Sequence, residues 1–360
     1  MKKGNLTIDP WGASSIDNYD KVFKEFGLKE FPENWKKKLN HYLFRRNIII
    51  AHRDFDKIIE RINANKPFIQ ITGIASSGRM HLGHKIDIDL FLFLKKFKAK
   101  NYFAIADIDG YVSRQKINTM DEAKKIAVDN LAHALALGLK TKDVYVQSKQ
   151  KPFYYNLAFE CSKKITENMY SAIYGHTDFG KISAVLLQIV DIIHPQLIEG
   201  KMPSVTGIGL EQDPHARITR DIAKRLPYTL EVPSFLYFLH QSGLQQGKKM
   251  SSSEPLTAIF LDDSSEEVKK KISTAFTGGK DTLEEQKRLG GRPDICKVYE
   301  IYKFHHPSNK FVEDIFKRCS SGKLLCGECK GLCIKFLTNF LEKHQERVKK
   351  TRKIAEKMVN

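Results

Sequence analysis

The stretch Thr72–His84 is the feature of this sequence that most restricts its fold. The apolar run Pro67–Ile71 before it has the composition of a strand, and Lys85–Leu94 after it is long and apolar enough for a buried helix. The stretch therefore predicts a glycine-containing turn from a strand into a helix, with His81 and His84 at the start of that helix. Unpaired N–H groups and the positive end of the helix dipole favour a phosphate at such a place. An isolated histidine pair at this spacing is, however, more often an ordinary surface pair.

Strand-like and helix-like segments alternate through the middle of the chain. A capping box at Thr119 predicts a helix that Gly138 ends, and Asp213 is expected to cap a further helix. Residues 152–200 have the pattern of a mostly helical insertion. The predicted strands after the first one lie at 101–107, 143–147, 204–209 and 258–262.

This alternation predicts an α/β fold, with a parallel sheet covered by helices. We expect a Rossmann-like catalytic domain over 61–262 with its helical insertion, and an all-helical C-terminal domain over 263–360. Residues 1–60 are expected to form an N-terminal arm. Ligands of open parallel sheets bind beyond the carboxyl ends of the strands, which is where Thr72–His84 and Asp107–Tyr111 are predicted to lie.

Composition restricts the partners. The chain has 60 basic and 42 acidic residues, a formal net charge of +18 and a pI near 9.4. Such an excess suits a polyanionic partner, because binding to phosphates releases their counterions; a merely lysine-rich composition is the alternative. No apolar run reaches the length that a bilayer requires, and the N-terminus lacks the apolar stretch of a secretory signal. We therefore expect a cytoplasmic protein without a membrane partner.

A second segment, far along the chain, changes the interpretation of the histidine pair. Gly247–Ser253 is small, polar and flexible, and its lysines are placed to reach an anion. His81–His84 (His-Leu-Gly-His) and Lys249–Ser253 (Lys-Met-Ser-Ser-Ser), in this order, together resemble the two signatures of class I aminoacyl-tRNA synthetases.

The likeness extends over essentially the whole chain. Further motifs are similar to the archaeal and eukaryotic tryptophanyl-tRNA synthetase family, in the same order: Asp9–Gly12, His52–Asp54, Glu211–His215 with Thr219–Asp221, and Thr277–Gly279 through Gly290–Asp294. The resemblance implies that an amino acid is activated by ATP with Mg²⁺ and then transferred to the terminal ribose of tRNA. In such a step the protein mainly positions the reactants and stabilises phosphoryl charge.

The resemblance also implies the nucleotide site. The expected catalytic residues are His81, His84, Lys249, Ser251 and Ser252. Residues expected to bind ATP are Thr72, Gly73, Gly83 (beneath the adenine), Gly209, Glu211 (on the ribose) and Met250. Two positions depart from the family pattern: Ser252 stands where many class I enzymes have a second lysine, and Glu211 is one methylene longer than the usual Asp.

The amino acid is predicted from the same resemblance. Eukaryotic members read the indole with a Tyr and a Gln, and Ile71 and Ala104 stand at those positions. Asp191 offers a substitute, as one buried acceptor satisfies the indole N–H; a helix-surface acid is the alternative. Gln188 and Asp109 are candidates for the substrate ammonium, and Gln212 is expected on the α-amino group.

Tyrosine is the rival substrate. Tyrosyl enzymes share the Gln-x-x-Asp pattern, but they place a Tyr at the position of Ile71 to pair with the phenol oxygen. A phenol both donates and accepts a hydrogen bond, and Ile71 does neither. The sequence therefore favours L-tryptophan.

The cysteines suggest a metal centre. Six cysteines in a cytoplasmic chain are not expected to form a disulfide framework. Cys-x-x-Cys with two more thiolates suits zinc or an iron–sulfur cluster, and some tryptophanyl enzymes with similar spacing hold a [4Fe–4S] cluster. We expect that cluster, with zinc or unligated thiols as alternatives, on Cys296, Cys319, Cys326 and Cys329.

The remaining partners follow from the resemblance alone. It implies a homodimer through residues 152–200, and tRNA(Trp) read at its anticodon by the helical C-terminal domain. A synthetase-like protein that has lost activation and only binds RNA is the alternative from another functional class. The presence of His81, His84, Lys249 and Gln212 counts against it.

Overall fold

The computed structural model describes Phe23, Met250 and residues 26–175, 178–247 and 254–360. Lys249, Ser251 and Ser252 of the predicted catalytic set lie outside the described residues, and so does the Asp9–Gly12 motif.

One sheet of seven strands forms the centre of the fold, in the order β1-β2-β7-β6-β3-β4-β5. Five neighbouring strands, β7 to β5, are parallel, and β1 and β2 join one edge antiparallel. The chain order reverses between β3 and β6, so the carboxyl ends of these strands flank a crevice of the kind in which such sheets bind ligands. The strands are β1 (Lys29–Glu30), β2 (Ile49–Arg53), β3 (Phe68–Ala75), β4 (Ala99–Ala106), β5 (Val144–Val146), β6 (Ser204–Gly209) and β7 (Ser234–Phe238).

Helices cover the sheet and make up most of the other described residues. Those up to residue 137 are α1 (Glu33–Leu39), α2 (Tyr42–Arg45), α3 (Asp56–Asn63), α4 (Leu82–Leu94), α5 (Asp107–Ser113) and α6 (Met120–Leu137). The insertion and the helix after it supply α7 (Pro152–Ser162), α8 (Glu167–Tyr174), α9 (Phe179–Glu199) and α10 (Asp213–Arg225). The C-terminal part comprises α11 (Ser265–Thr274), α12 (Leu283–Leu289), α13 (Lys297–His305), α14 (Asn309–Ser320) and α15 (Cys326–Val359).

The α/β prediction is confirmed, and several helix and strand ends are where local signals placed them. The Thr119 side chain accepts a hydrogen bond from the Glu122 N–H at the start of α6, and Gly138 ends that helix at φ 125°. A side chain at Gly138 would be strained there, so glycine suits the stop.

Two local predictions were wrong, the strand at 258–262 and the cap at Asp213. Residues 258–262 form no strand of the sheet; within them only Phe260 makes a bridge, to His81, because this apolar run is buried between helices and the turn before α4. The predicted arm contributes β1 and β2 to the sheet. Asp213 is the first residue of α10 and not its cap, because its carboxylate pairs with Arg53 at 2.9 Å and accepts a hydrogen bond from Tyr237 at 2.6 Å.

The C-terminal helices and the sheet share one hydrophobic core. Side chains of α15, among them Val348 and Val359, belong to the same buried cluster as Ile74 of β3 and Leu131 of α6. Within the described residues α9 alone is long and apolar enough to cross a bilayer, but 61% of its apolar window is buried, as in the core helix of a globular protein. The two predicted domains are therefore packed together, and most of the apolar part of α9 is buried.

Candidate active site

The two histidines cap α4 reciprocally. Nδ1 of His81 accepts a hydrogen bond from the Gly83 N–H at 3.1 Å, and Nδ1 of His84 accepts one from the His81 N–H at 3.1 Å. Because both Nδ1 atoms act as acceptors, the proton of each neutral ring lies on Nε2. The helix cap thus fixes the tautomer, and both Nε2–H groups remain available as donors.

Electrostatics keeps both rings neutral. Burial lowers the pKa of His84 to about 4, and burial together with the neighbouring His84 lowers the pKa of His81 well below its usual value. The ring centroids are 4.1 Å apart. Two neutral donors at the start of a helix are suited to phosphate oxygens.

The space at Gly83 is partly taken by His81. A Cβ added at Gly83 would lie 2.8 Å from Cε1 and Nδ1 of the His81 ring, so a larger residue would displace that ring. The resemblance gave this space to adenine, and that contact stays a prediction.

The segment after the Lys-Met-Ser loop lies beside the start of α4. The bridge between His81 and Phe260 is flanked by hydrogen bonds from the Leu82 N–H to the Ile259 carbonyl (3.0 Å) and from the Leu261 N–H to the Met80 carbonyl (2.9 Å). The side chain of Met250, predicted at the ATP site, is buried in the same core as Met80 and Leu82. The structure therefore brings Met250 and the segment Ile259–Leu261 to the first signature, whereas Lys249 lies outside the described residues.

Two cations hold the chain after that loop, a feature that sequence reasoning missed. The Arg79 guanidinium lies 4.2 Å and the Lys271 ammonium 4.7 Å from the centre of the Phe260 ring. Lys271 also pairs with Asp263 at 2.6 Å, and Asp263 accepts a hydrogen bond from the Phe260 N–H. An arginine before α4 and a lysine on α11 thus fix Phe260 against His81.

The predicted apolar walls lie on adjacent strands. Gly73 of β3 pairs with Ala104 of β4, and a Cβ at Gly73 would lie 2.7 Å from the Ala104 Cβ. Ile71 is buried, as is Ala104, and strand alternation puts Ile71 on the same face as Gly73. Thr72 lies on the other face, where its hydroxyl donates to the Gly207 carbonyl at 3.2 Å.

Asp191 on α9 is buried and accepts three hydrogen bonds. Oδ1 accepts from the hydroxyls of Tyr145 and Tyr154, both at 2.6 Å, and Oδ2 accepts from the Gln147 amide at 2.7 Å. Burial raises the pKa of Asp191 to about 7, against the opposing effect of these donors. Sequence reasoning found Asp191 but none of its donors, which come from three separate segments.

Gln147 links the two acids predicted to bind the amino acid. Its Oε1 accepts the Asp109 N–H at 3.1 Å, and its amide donates to Asp191. Asp109 also accepts from the Ser113 hydroxyl, and burial raises its pKa to about 6. Gln188, half-buried on α9, makes no side-chain hydrogen bond to the described residues. The structure therefore brings Asp109 and Asp191 into one polar group.

Glu211 follows β6 at the switch point and forms an ion pair with His240. The His240 Nε2 contacts Glu211 Oε1, and the Gln212 amide donates to the same oxygen at 3.2 Å. Burial alone would raise the pKa of Glu211, but the charge and hydrogen bond of His240 lower it below the usual value. Nearby, burial raises the pKa of Asp87 to about 8; the charge of His240 opposes this shift, and Glu211 makes a smaller contribution in the raising direction. No sequence motif pointed to His240 or Asp87.

Among the four predicted metal ligands, the Cys329 thiol is close enough to the other three for each of them to affect its pKa. Burial, with smaller contributions from Cys296 and Cys326, raises the pKa of the Cys319 thiol to about 11. Burial likewise raises the pKa of Cys329 to about 12, with all three other thiols contributing. Within the described part of the chain, no three His, Cys, Asp or Glu side chains are arranged to hold a single metal ion.

Two glycines line this group of thiols. A Cβ at Gly279 would lie 2.9 Å from the Cys326 Sγ, and one at Gly291 would lie 2.9 Å from the Cys319 Sγ. The backbone therefore approaches both sulfurs where a side chain would intrude.

Comparison with known proteins identifies relatives of the whole chain. Residues 63–342 match the family described as tRNA synthetases class I (W and Y). A tryptophan–tRNA ligase of Methanocaldococcus jannaschii is 38% identical, over 98% of both chains, and one of Aeropyrum pernix is 40% identical, over 98% of this chain and 97% of that one. The crystal structure of tryptophanyl-tRNA synthetase from Aeropyrum pernix superimposes with a TM-score of 0.89 at 41% identity and covers 98% of each chain.

Proposed function

Because the chain belongs to the class I family of tRNA synthetases for tryptophan and tyrosine, we propose that it activates L-tryptophan with ATP and transfers it to tRNA(Trp). Relatives at 38–40% identity over nearly the full length are tryptophan–tRNA ligases. The observation that supports the proposal for the site is the bridge between His81 of the first signature and Phe260, seven residues after the second signature.

The reaction requires positioning and charge stabilisation. The tryptophan carboxylate attacks the α-phosphate of ATP, which enters as its magnesium complex, and pyrophosphate leaves. The Nε2–H groups of His81 and His84 donate to phosphate oxygens, and Lys249 adds positive charge as the transition state forms. Ser251 and Ser252 supply hydroxyl donors from the same loop. The ring tautomers support this role, because both Nδ1 atoms are used within the helix cap.

The amino-acid pocket favours tryptophan over tyrosine. Ile71 and Ala104 supply buried apolar walls, and neither can pair with a phenol hydroxyl. Asp191 keeps acceptor capacity for an indole N–H, because a carboxylate has about four lone-pair positions and three are used. Asp109, Gln188 and Gln212 are proposed to receive the ammonium.

Charging of tRNA tests the whole function. We expect the purified protein to attach radiolabelled tryptophan to tRNA(Trp) in an ATP-dependent reaction, and to leave tyrosine and tRNA(Tyr) uncharged. A protein that binds tRNA(Trp) without charging it would instead be the RNA-binding alternative.

We also propose a homodimer through the helical insertion. Three of its aromatic side chains are exposed: Phe153 (46%), Phe159 (75%) and Phe179 (90%). Exposed aromatics grouped on one part of a chain are typical of a protein interface. Light scattering should give a dimer mass, and Phe159→Glu with Phe179→Glu should give a monomer; an unchanged mass for the double variant would exclude this surface.

We propose that the C-terminal domain binds the anticodon arm of tRNA(Trp). We also propose that the protein acts in the cytoplasm. Residues 341–360 of α15 carry seven basic and three acidic side chains, a balance suited to phosphate contacts. Replacement of Lys349, Lys350 and Lys353 by Ala should raise the KM for tRNA and leave tryptophan activation unchanged. Equal KM values for tRNA would contradict this role.

Finally, we propose that Cys296, Cys319, Cys326 and Cys329 hold a [4Fe–4S] cluster. The other three thiols all affect the pKa of Cys329, and the backbone at Gly279 and Gly291 approaches the sulfurs of Cys326 and Cys319 closely. This arrangement suits a group larger than one ion. Such a cluster would brace the C-terminal domain through four Fe–S bonds. Anaerobic protein should contain about four irons per chain with iron–sulfur absorbance, and Cys319→Ser should lose both while Cys161→Ser keeps them. Stoichiometric zinc, or no metal, would overturn the assignment.

A further inference from the structure

His240 and Glu211 meet across the ends of two parallel strands. Gly209, the last residue of β6, pairs with Phe238 of β7, and Glu211 and His240 each follow two residues later. The two side chains therefore start from equivalent positions just beyond the ends of neighbouring strands, and they converge so that His240 Nε2 contacts Glu211 Oε1.

The absence of a side chain at Gly209 makes this contact possible. A Cβ there would lie 2.2 Å from the His240 Nε2 and 2.6 Å from both carboxylate oxygens of Glu211. The ion pair therefore lies folded over the Gly209 backbone and does not extend straight into the crevice.

The folded position of the Glu211 side chain over Gly209 matters because Glu211 is one methylene longer than the family's usual aspartate. A freely extended glutamate would place its carboxylate further from β6 and would sample more rotamers. Here His240 and the Gln212 amide both contact Oε1, which draws the carboxylate back and restricts it. Oε2 is then the oxygen that we expect to face a ligand.

Burial in the core does not explain His240. Its side chain is 50% exposed, whereas that of Glu211 is 15% exposed. Its ring also contacts Phe238, with centroids 5.7 Å apart in an edge-on arrangement, which sets the direction of the imidazole. The ring is thus held on one side by Phe238 and directed at Glu211 on the other.

We propose that His240 is a positioning residue that holds the Glu211 carboxylate where it binds a ribose hydroxyl of ATP. The pair replaces the shorter aspartate of related sites with a longer acid and a clamp. This inference rests on the proposed function, because it takes ATP as the ligand of the crevice.

The decisive test compares ATP with its deoxy analogues in variants that separate donation from packing. His240→Phe keeps a ring beside Phe238 and removes the donor, whereas His240→Gln keeps an N–H near the position of Nε2. The measurements are KM, kcat and equilibrium affinity for ATP, 2′-deoxyATP and 3′-deoxyATP, together with KM for tryptophan.

We expect His240→Phe to raise the KM for ATP about tenfold, the usual effect of losing one charge-assisted hydrogen bond. One of the two deoxy analogues will be the poorer substrate of the wild-type protein. The preference of His240→Phe for ATP over that analogue should fall to the preference shown by Glu211→Gln. KM for tryptophan should stay unchanged, and His240→Gln should restore most of the preference. The double variant should be no worse than Glu211→Gln, since His240 acts through that residue.

An unchanged preference for ATP over both deoxy analogues in His240→Phe would overturn the inference. So would effects of His240→Phe and Glu211→Gln that multiply in the double variant. If the wild-type protein shows no tryptophan-dependent reaction, the proposed function fails instead. Calorimetric affinities for ATP and the deoxy analogues then still decide the role of His240.

Discussion

The backbone of His81 pairs with that of Phe260 in an isolated antiparallel bridge. His81 begins the helix that carries the first signature, and Phe260 follows the Lys-Met-Ser loop. Arg79 and Lys271 lie against the Phe260 ring and hold it in place. The segment that follows the second signature therefore lies at the start of the helix that carries the first.

The first prediction separates the structural and chemical roles of His84. His84→Asn places an amide oxygen near the position of Nδ1, so it should keep the cap on the His81 N–H and lose the Nε2–H donor. We expect near-normal thermal stability and a fall in kcat of about 10²–10³. His84→Ala should show the same kinetic loss and also lose about 1 kcal/mol of stability with the cap. Full kcat in His84→Asn would mean that Nε2 does not contact the transition state.

The second prediction concerns Lys249. Its ammonium is expected to act on the phosphates as charge builds, so Lys249→Ala should lower kcat by about 10²–10³. Lys248→Ala is the matched variant, and its effect measures how far the neighbouring lysine shares the role. A change confined to the KM for ATP, with kcat intact, would remove Lys249 from the transition state.

The third prediction tests the indole contact of Asp191. Asp191→Ala should reduce kcat/KM for tryptophan, with a loss of transition-state stabilisation of about 1.5–3 kcal/mol. The loss should be much smaller for the analogue with sulfur in place of the indole N–H, because that ring donates no hydrogen bond. Since the change also leaves Tyr145, Tyr154 and Gln147 without their acceptor, Asp191→Asn serves as the control that keeps the shape. Equal losses for both substrates would assign Asp191 a structural role only.

The fourth prediction is a stability maximum near pH 6.5. Burial lowers the pKa of these histidines to about 4, and in the last case to about 3: His41, His52, His84, His194 and His344. They are neutral in the fold but protonate when unfolded below pH 6.5, so stability should rise from pH 4 to pH 6.5. Burial raises the pKa of three acids, Asp109 (about 6), Asp191 (about 7) and Asp87 (about 8).

These acids act in the opposite direction. The folded protein keeps their protons at pH values where the unfolded chain has already released them, so their contribution to stability falls as the pH rises toward 8. Below pH 6.5 the five histidines outweigh the three acids; above it only the acids act. Urea unfolding midpoints across pH 4–9 measure the curve, and Asp87→Asn should flatten the fall between pH 7 and 8. A midpoint that keeps rising from pH 7 to pH 8 would contradict this assignment.

Sequence reasoning located what is encoded locally. Strand 204–209 and the helix after Thr119 have the predicted ends, because caps and turns act on neighbouring residues. His81 and His84 were found for the same reason, since the motif is itself the start of the helix.

Long-range partners could not be predicted. Periodicity marked 258–262 as apolar and extended, but only the folded chain shows that it lies beside the turn before α4 and not in the sheet. The donors to Asp191 come from β5, the segment after it and α7. His240 carries no motif, and it is recognised only because β6 and β7 are neighbours.

Amino-acid-dependent exchange of pyrophosphate into ATP, measured separately with tryptophan, tyrosine and each other amino acid, tests the central claim most directly. We predict rapid exchange with tryptophan and at most trace exchange with tyrosine. Comparable or faster exchange with tyrosine, or none with any amino acid, would contradict this account of the site.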